Sequence, residues 1–249
     1  MRRWLLLQVL GLAFAALLIW LFAGSALDFR LSALAYSPAE RAFPLRDAWL
    51  TAVAGHSGLK HLGVLLWLGM LAVALVSRPW RREALHAAIG ALLAAAVATH
   101  LRSMSLHSCP WDLAQFGGSA QWFPIFGALP ADPGPGRCLP SGHASSGFAL
   151  VSLYFAFRDG HPRLARAGLA LAGVLGLLAI AVQVARGAHF ASHGLWTAWV
   201  VWAVNVALYA LMRRLKPLPQ PPIPLDADRE IHHPAAGSPR RGPEPRGGP

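Results

Sequence analysis

Residues 1–24 read MRRWLLLQVLGLAFAALLIWLFAG. From Trp4 to Ala23 no side chain is charged. A helix needs about 20 mostly apolar residues to cross a bilayer core, and this stretch supplies them. Arg2 and Arg3 precede it directly. A cleaved signal peptide begins the same way, but its apolar region is roughly 7–15 residues. We therefore read 4–23 as a retained membrane anchor.

The rest of the chain repeats this pattern. Apolar runs follow at 62–77, 84–101, 141–157, 167–185 and 194–212. Over all 249 residues, 55% are hydrophobic and 13% are charged. A soluble domain carries roughly 25% charged residues, so a soluble enzyme is disfavoured. A disordered chain is disfavoured too, because disorder needs low hydrophobicity. A formal charge of +11 is also a signature of nucleic-acid binders. Its placement argues against that, because the basic residues cluster between apolar runs. The clusters are Arg2-Arg3, then Arg78, Arg81 and Arg82, then Arg158, Arg163 and Arg166, then Arg213, Arg214 and Lys216. With six spans all four fall on one side, which the positive-inside rule makes the cytoplasm. The reading is an all-α integral membrane bundle of six transmembrane helices over 1–216. Both termini are expected on the cytoplasmic side of a bacterial inner membrane. Residues 217–249 are rich in Pro and Gly and read as a disordered cytoplasmic tail.

Three segments then face outward: 24–58, 102–140 and 187–193. Trp196, Trp199 and Trp202 in the last run read as interface anchors. His56, Lys60, His61, His100 and His107 read as outer-face or near-interface residues without a chemical role. Cys109 and Cys138 share one outward loop. In an oxidising compartment they are expected to pair, with two free thiols as the alternative. A disulfide there would close a loop worth roughly 3–4 kcal/mol in the chain-entropy picture.

The outward segments also hold the polar groups suited to chemistry. Pro140-Ser141-Gly142-His143 opens the fourth run. A helix start with free backbone N–H groups attracts anions. Arg102, Arg137, His143, Arg186 and His189 all fall on the outer face in this topology. Guanidinium groups grip phosphate oxygens in a bidentate fork. Two imidazoles suit attack at phosphorus and protonation of the leaving group.

These stretches resemble the type 2 phosphatidic acid phosphatase family, the membrane relatives of vanadium haloperoxidases. That family carries Lys-x6-Arg-Pro, Pro-Ser-Gly-His and Ser-Arg-x5-His-x3-Asp. The second motif is intact at 140–143. The first stands as Arg102-x6-Cys109-Pro110, with Arg for Lys and Cys for Arg. In the third, His189 matches the histidine. Val182, Gln183 and His193 stand at the Ser, Arg and Asp positions. The Cys-Pro-Trp-Asp-Leu and Gly-Ala-His-Phe stretches resemble a bacterial subgroup, and the resemblance covers about residues 60–210.

The resemblance implies an outward-facing active site for hydrolysis of a lipid phosphate or pyrophosphate. His189 is then the nucleophile that forms a phosphohistidine, and His143 is the general acid. Arg102, Ser141, Gly142 and, in place of the missing motif arginine, Arg186 or Arg137 hold phosphate. His193 and Asp112 are the candidates to orient His189. No metal or other cofactor is expected. The expected partners are a phosphorylated lipid and membrane lipids, not nucleic acid. Transfer of the phosphoryl group to an acceptor hydroxyl is one alternative. A non-catalytic lipid-phosphate binder or carrier with a degraded third motif is another.

Overall fold

The computed structural model describes residues 2–215, so the tail expected at 217–249 lies outside the described residues. In chain order the helices are α1 (Arg2–Phe22), α2 (Ala26–Ala33), a π-helical segment (Leu50–Gly58) running into α3 (Leu59–Val76), α4 (Arg81–Met104), α5 (Gly142–Phe148), α6 (Val151–Phe157), α7 (Pro162–Ala185) and α8 (Ala191–Leu215). Five are long and apolar enough to cross a membrane: α1, the continuous helix Leu50–Val76, α4, α7 and α8. No β-strand occurs among the described residues, only two isolated bridges.

The fourth expected run departs from a single long helix. Residues 142–157 form two seven-residue helices, α5 and α6, interrupted at Ala149 and Leu150. The reason is local. Ser145 Oγ donates to the Gly142 carbonyl at 2.6 Å, and Ser146 Oγ to the His143 carbonyl at 2.7 Å. Hydroxyls that bond back to their own helix compete with the backbone ladder and bend it. The two pieces still link opposite ends of the bundle. At the far end, the Arg158 guanidinium lies 4.8 Å from the Trp4 ring centre and 5.0 Å from that of Tyr209. Trp80 packs there against Phe157 and His161.

Small residues let the helices approach. α4 buries Ala84, Ala87, Ala88, Ala91, Ala94 and Ala98 along one stripe. A Cβ on Gly147 of α5 would sit 2.5 Å from the Gly176 nitrogen of α7. Close backbone approach through small residues is how helices associate where lipid supplies no hydrophobic drive. The outer surface is correspondingly apolar. α1 buries no residue, and Leu7, Leu10 and Phe14 are more than half exposed. Apolar exposure on that scale marks a surface made for lipid or a partner, not water.

Trp199 and Trp202 are half-buried against α1. Trp199 Nε1 donates to the Leu12 carbonyl at 2.8 Å, and Trp202 Nε1 to Gln8 Oε1 at 2.8 Å. Both dock α1 on α8, because a buried indole N–H needs an acceptor. Residues 50–58 of the first outward segment form the first part of the helix that continues into α3.

Candidate active site

The end of the bundle opposite Arg158 gathers segments from the whole chain. Arg102 lies in the last turn of α4, α5 begins at Gly142, and the loop between α7 and α8 carries Arg186 and His189. A cluster of Phe43, Leu113, Phe116, Ala120 and Phe190, with Phe29, Tyr36 and Trp122 against it, packs over these segments. The cluster holds the α7–α8 loop close. Gly187 has φ +68°, and a Cβ there would meet the Phe43 ring at 2.3 Å. Trp111 N donates to the Gly187 carbonyl at 3.0 Å, which ties the first-motif loop to the third.

The second motif is bolted to α8. Ser141 N donates to the His193 carbonyl at 3.1 Å, and Thr197 Oγ1 donates to the Ser141 carbonyl at 2.9 Å. Asp28, fully buried, accepts from Ser192 N at 3.2 Å and Ser192 Oγ at 2.6 Å. A carboxylate at a helix N-terminus satisfies otherwise unpaired N–H groups. Burial nevertheless raises the Asp28 pKa above its ordinary 3.8.

His189 is almost wholly buried, and its Nδ1–H donates to the Cys138 carbonyl at 2.9 Å. That bond fixes the tautomer and leaves the Nε2 lone pair free. Burial first, and then the neighbouring rings of His193 and His143, hold its pKa well below the ordinary 6.5. His189 is therefore neutral around pH 7. Its ring centre lies 6.5 Å from that of His143. Arg102 reaches over Gly142: a Cβ at that glycine would sit 3.3 Å from Arg102 Cδ and 3.6 Å from Nε. A side chain at 142 would push the guanidinium stem back by a few tenths of an ångström.

Cys109 and Cys138 form a disulfide with Cα atoms 5.3 Å apart. Cys138 is fully buried, so the bond fastens the residue whose carbonyl orients His189. The two sulfurs and His189 Nδ1 all lie within 4.8 Å of one another. With the sulfurs bonded to each other and Nδ1 engaged, the trio offers no thiolate to a metal.

Several expected residues stand elsewhere. Asp112 does not orient His189: its Oδ2 accepts from Cys109 N at 3.2 Å and closes a tight turn. Burial raises its pKa. His193 stands edge-on to His189, ring centres 5.8 Å apart, while the Cys138 carbonyl takes the Nδ1–H. Arg137 is exposed in the loop, at φ +60°, and no contact links its side chain to the imidazoles. Arg186, by contrast, is buried against the site. Its Nε donates to the Arg46 carbonyl at 2.8 Å and its Nη1 to His56 Nδ1 at 2.7 Å.

His56 is a site residue that the sequence reading passed over. Its ring centre lies only 3.7 Å from that of His143. The signal available was its place in an outward segment just before an apolar helix, which surface histidines share.

From this cluster a cavity of about 420 Å³ runs between α3, α4 and α5. Lys60, Arg102 and His143 stand at its head, and Trp67, Met70 and Ala91 line its depth. Val64 and Leu92, which also line it, are exposed at the bundle surface. The cavity therefore opens sideways between the helices.

No protein family, curated protein or solved structure matches the chain.

Proposed function

We propose that the chain is an integral membrane phosphatase acting on a lipid phosphate or pyrophosphate from the outer face of the membrane. The observation that carries this reading is His189 with Nδ1 bonded to a backbone carbonyl. It leaves a neutral, buried Nε2 lone pair on a ring whose centre is 6.5 Å from that of His143, and His143 and Arg102 stand at the head of an apolar groove. A nucleophilic imidazole, a second imidazole for the leaving group and guanidinium groups for the oxygens form a phosphoryl-transfer set that needs no metal. The resemblance of the three motifs to type 2 phosphatidic acid phosphatases supports the same assignment.

The chemistry runs in two steps. His189 Nε2 attacks phosphorus in line, and the P–O bond to the lipid breaks. With the anionic substrate bound, His143 enters this step as the imidazolium, and the departing oxygen takes its proton, which leaves the ring neutral. Arg102 and the N–H groups at the start of α5 hold the non-bridging oxygens. Water then attacks the phosphohistidine, His143 takes its proton, and the N–P bond breaks to release inorganic phosphate. An acceptor alcohol in place of water would make the same centre a phosphotransferase.

The groove supports a lipid as substrate. From Lys60 to Met70 α3 rises about 15 Å, at ~1.5 Å per residue. That is about half of a ~30 Å hydrocarbon core, so the groove takes a chain from one leaflet. Its polar head and apolar floor match a phosphorylated amphiphile. The basic clusters favour six crossings with both termini in the cytoplasm, and the imidazole cluster lies at the end away from Arg158 and Arg213.

The test is phosphate release by the purified full chain in nanodiscs across a panel of lipid phosphates. Release that vanishes in His189→Ala and His143→Ala, with an acid-labile phosphoprotein in the wild type, is the expected result. Binding without release would assign a carrier. Release that persists in His189→Ala would refute the nucleophile.

A further inference from the structure

His56 lies outside all three motifs, yet it makes the closest ring contact in the site. The π-helical segment Leu50–Gly58 places it there. π-helical turns are rare and often mark functional positions. Gly55 presses this segment against α7: a Cβ there would be 2.8 Å from Val182 Cγ1. The next residue thus arrives beside Gln183 and Arg186.

Two donors converge on His56 Nδ1: Arg186 Nη1 at 2.7 Å and Gln183 Nε2 at 3.0 Å. A guanidinium has no acceptor to offer, so Nδ1 carries the lone pair and Nε2 the proton. Arg186 is pinned on its other edge by the Arg46 carbonyl at 2.8 Å. The guanidinium is thus held at two points, and both acceptors come from the segment before α3. Its remaining N–H groups are free for an anion.

We propose that His56 is a positioning residue of this site, holding Arg186 through Nδ1 and backing the His143 ring from one face. The inference rests on the phosphatase reading and deepens it. The resemblance places an arginine where this chain has Gln183. Arg186 starts later on the chain; the Arg46 carbonyl holds its Nε, and holding Nη1 beside His143 takes a second acceptor. His56 supplies that acceptor. Its close approach, 3.7 Å between ring centres with the planes tilted by 37°, also restricts the motion of the His143 ring. A displaced positioning group lowers rate by up to about 10²-fold without touching the substrate.

The test uses the full chain in nanodiscs with His56→Ala, His56→Asn and His56→Gln. Asparagine places its Oδ1 near the Nδ1 position and keeps an acceptor for Arg186; glutamine places its polar end near Nε2. His56→Ala and His56→Gln should lower kcat/KM for phosphate release by about 10- to 100-fold. His56→Asn should stay within about threefold of wild type, because the acceptor is what matters. Imidazole ¹⁵N spectra should report His56 protonated at Nε2, and Arg186→Met should release it to a mixture of tautomers. Orthovanadate should bind more weakly to His56→Ala than to His56→Asn.

The inference is overturned if His56→Asn fares as badly as His56→Ala. It is equally overturned if His56→Ala matches wild type, or if Nδ1 carries the proton. A wild-type chain that releases phosphate from no lipid would sink the phosphatase reading instead. The spectra and orthovanadate binding would still judge the role of His56 on their own.

Discussion

Cutting the Cys109–Cys138 disulfide should damage the site at a distance, through one backbone carbonyl. The cysteines are 29 residues apart in sequence. In the chain-entropy picture, closing a loop of about 30 residues stabilises the fold by about 3–4 kcal/mol. Cys109→Ala should lose about that much in equilibrium unfolding in detergent, followed by tryptophan fluorescence. The chemistry should suffer separately. Residue 138 keeps its carbonyl in every variant, so the His189 bond is loosened rather than deleted. Loss of an orienting group in a triad enzyme can lower rate by about 10⁴-fold. A loosened carbonyl should have a smaller effect, about 10- to 100-fold in phosphate release. Cys109→Ala, Cys138→Ala, the double variant and dithiothreitol-treated wild type all cut the same bond. They should therefore agree, and the double variant should not add to the singles. Unchanged stability and rate in Cys109→Ala would refute the reasoning. A loss confined to Cys138→Ala would too, since it would point to the sulfur beside His189 rather than to the loop.

Other expectations follow from single features. His189 has a folded-state pKa below its ordinary 6.5. Its contribution to stability is therefore complete above about pH 6.5 and lost as pH falls toward the lower folded value. The acid arm of the melting-temperature profile should flatten in His189→Gln. Ala95 lines the groove; Ala95→Phe should raise KM for a long-chain lipid phosphate several-fold and leave a water-soluble phosphate monoester unaffected. Gly147→Ala forces a methyl against the Gly176 backbone and should destabilise the bundle by about 1–3 kcal/mol on thermal unfolding. Asp28→Ala leaves Ser192 N–H and Oγ without their acceptor and should cost about 1–3 kcal/mol by the same measurement.

The long helices were legible because apolar length is a one-dimensional property. The runs 4–23, 84–101 and 194–212 read as spans, and α1, α4 and α8 stand there. The break at Ala149 was harder. Its cause lies in Ser145 and Ser146, whose hydroxyls bond back to carbonyls in the same turn, while the composition of 141–157 stays apolar. Within the site, His143, His189 and Arg102 were visible because side chains at a recognisable spacing announce themselves. The group that orients His189 was not. It is a backbone carbonyl, which every residue possesses, and nothing in the letter Cys at 138 advertises it. Asp112 was one of the two candidates, but its oxygen is spent on the turn beside Cys109. His56 was missed for a related reason: its meaning comes from Gln183 and Arg186, more than 120 positions away. The contacts of Trp199 and Trp202 with α1 were equally hidden, since membrane-edge tryptophans and helix-docking tryptophans share one residue type.

The sideways opening between Val64 and Leu92 has a kinetic corollary. A lipid that slips in between α3 and α4 never has to leave the bilayer, so encounter is a search in a plane. Saturation would follow the number of substrate molecules per unit area of membrane, and diluting the vesicles into more buffer would leave the rate per vesicle unchanged. Diluting the substrate with inert lipid inside the same vesicle would slow it.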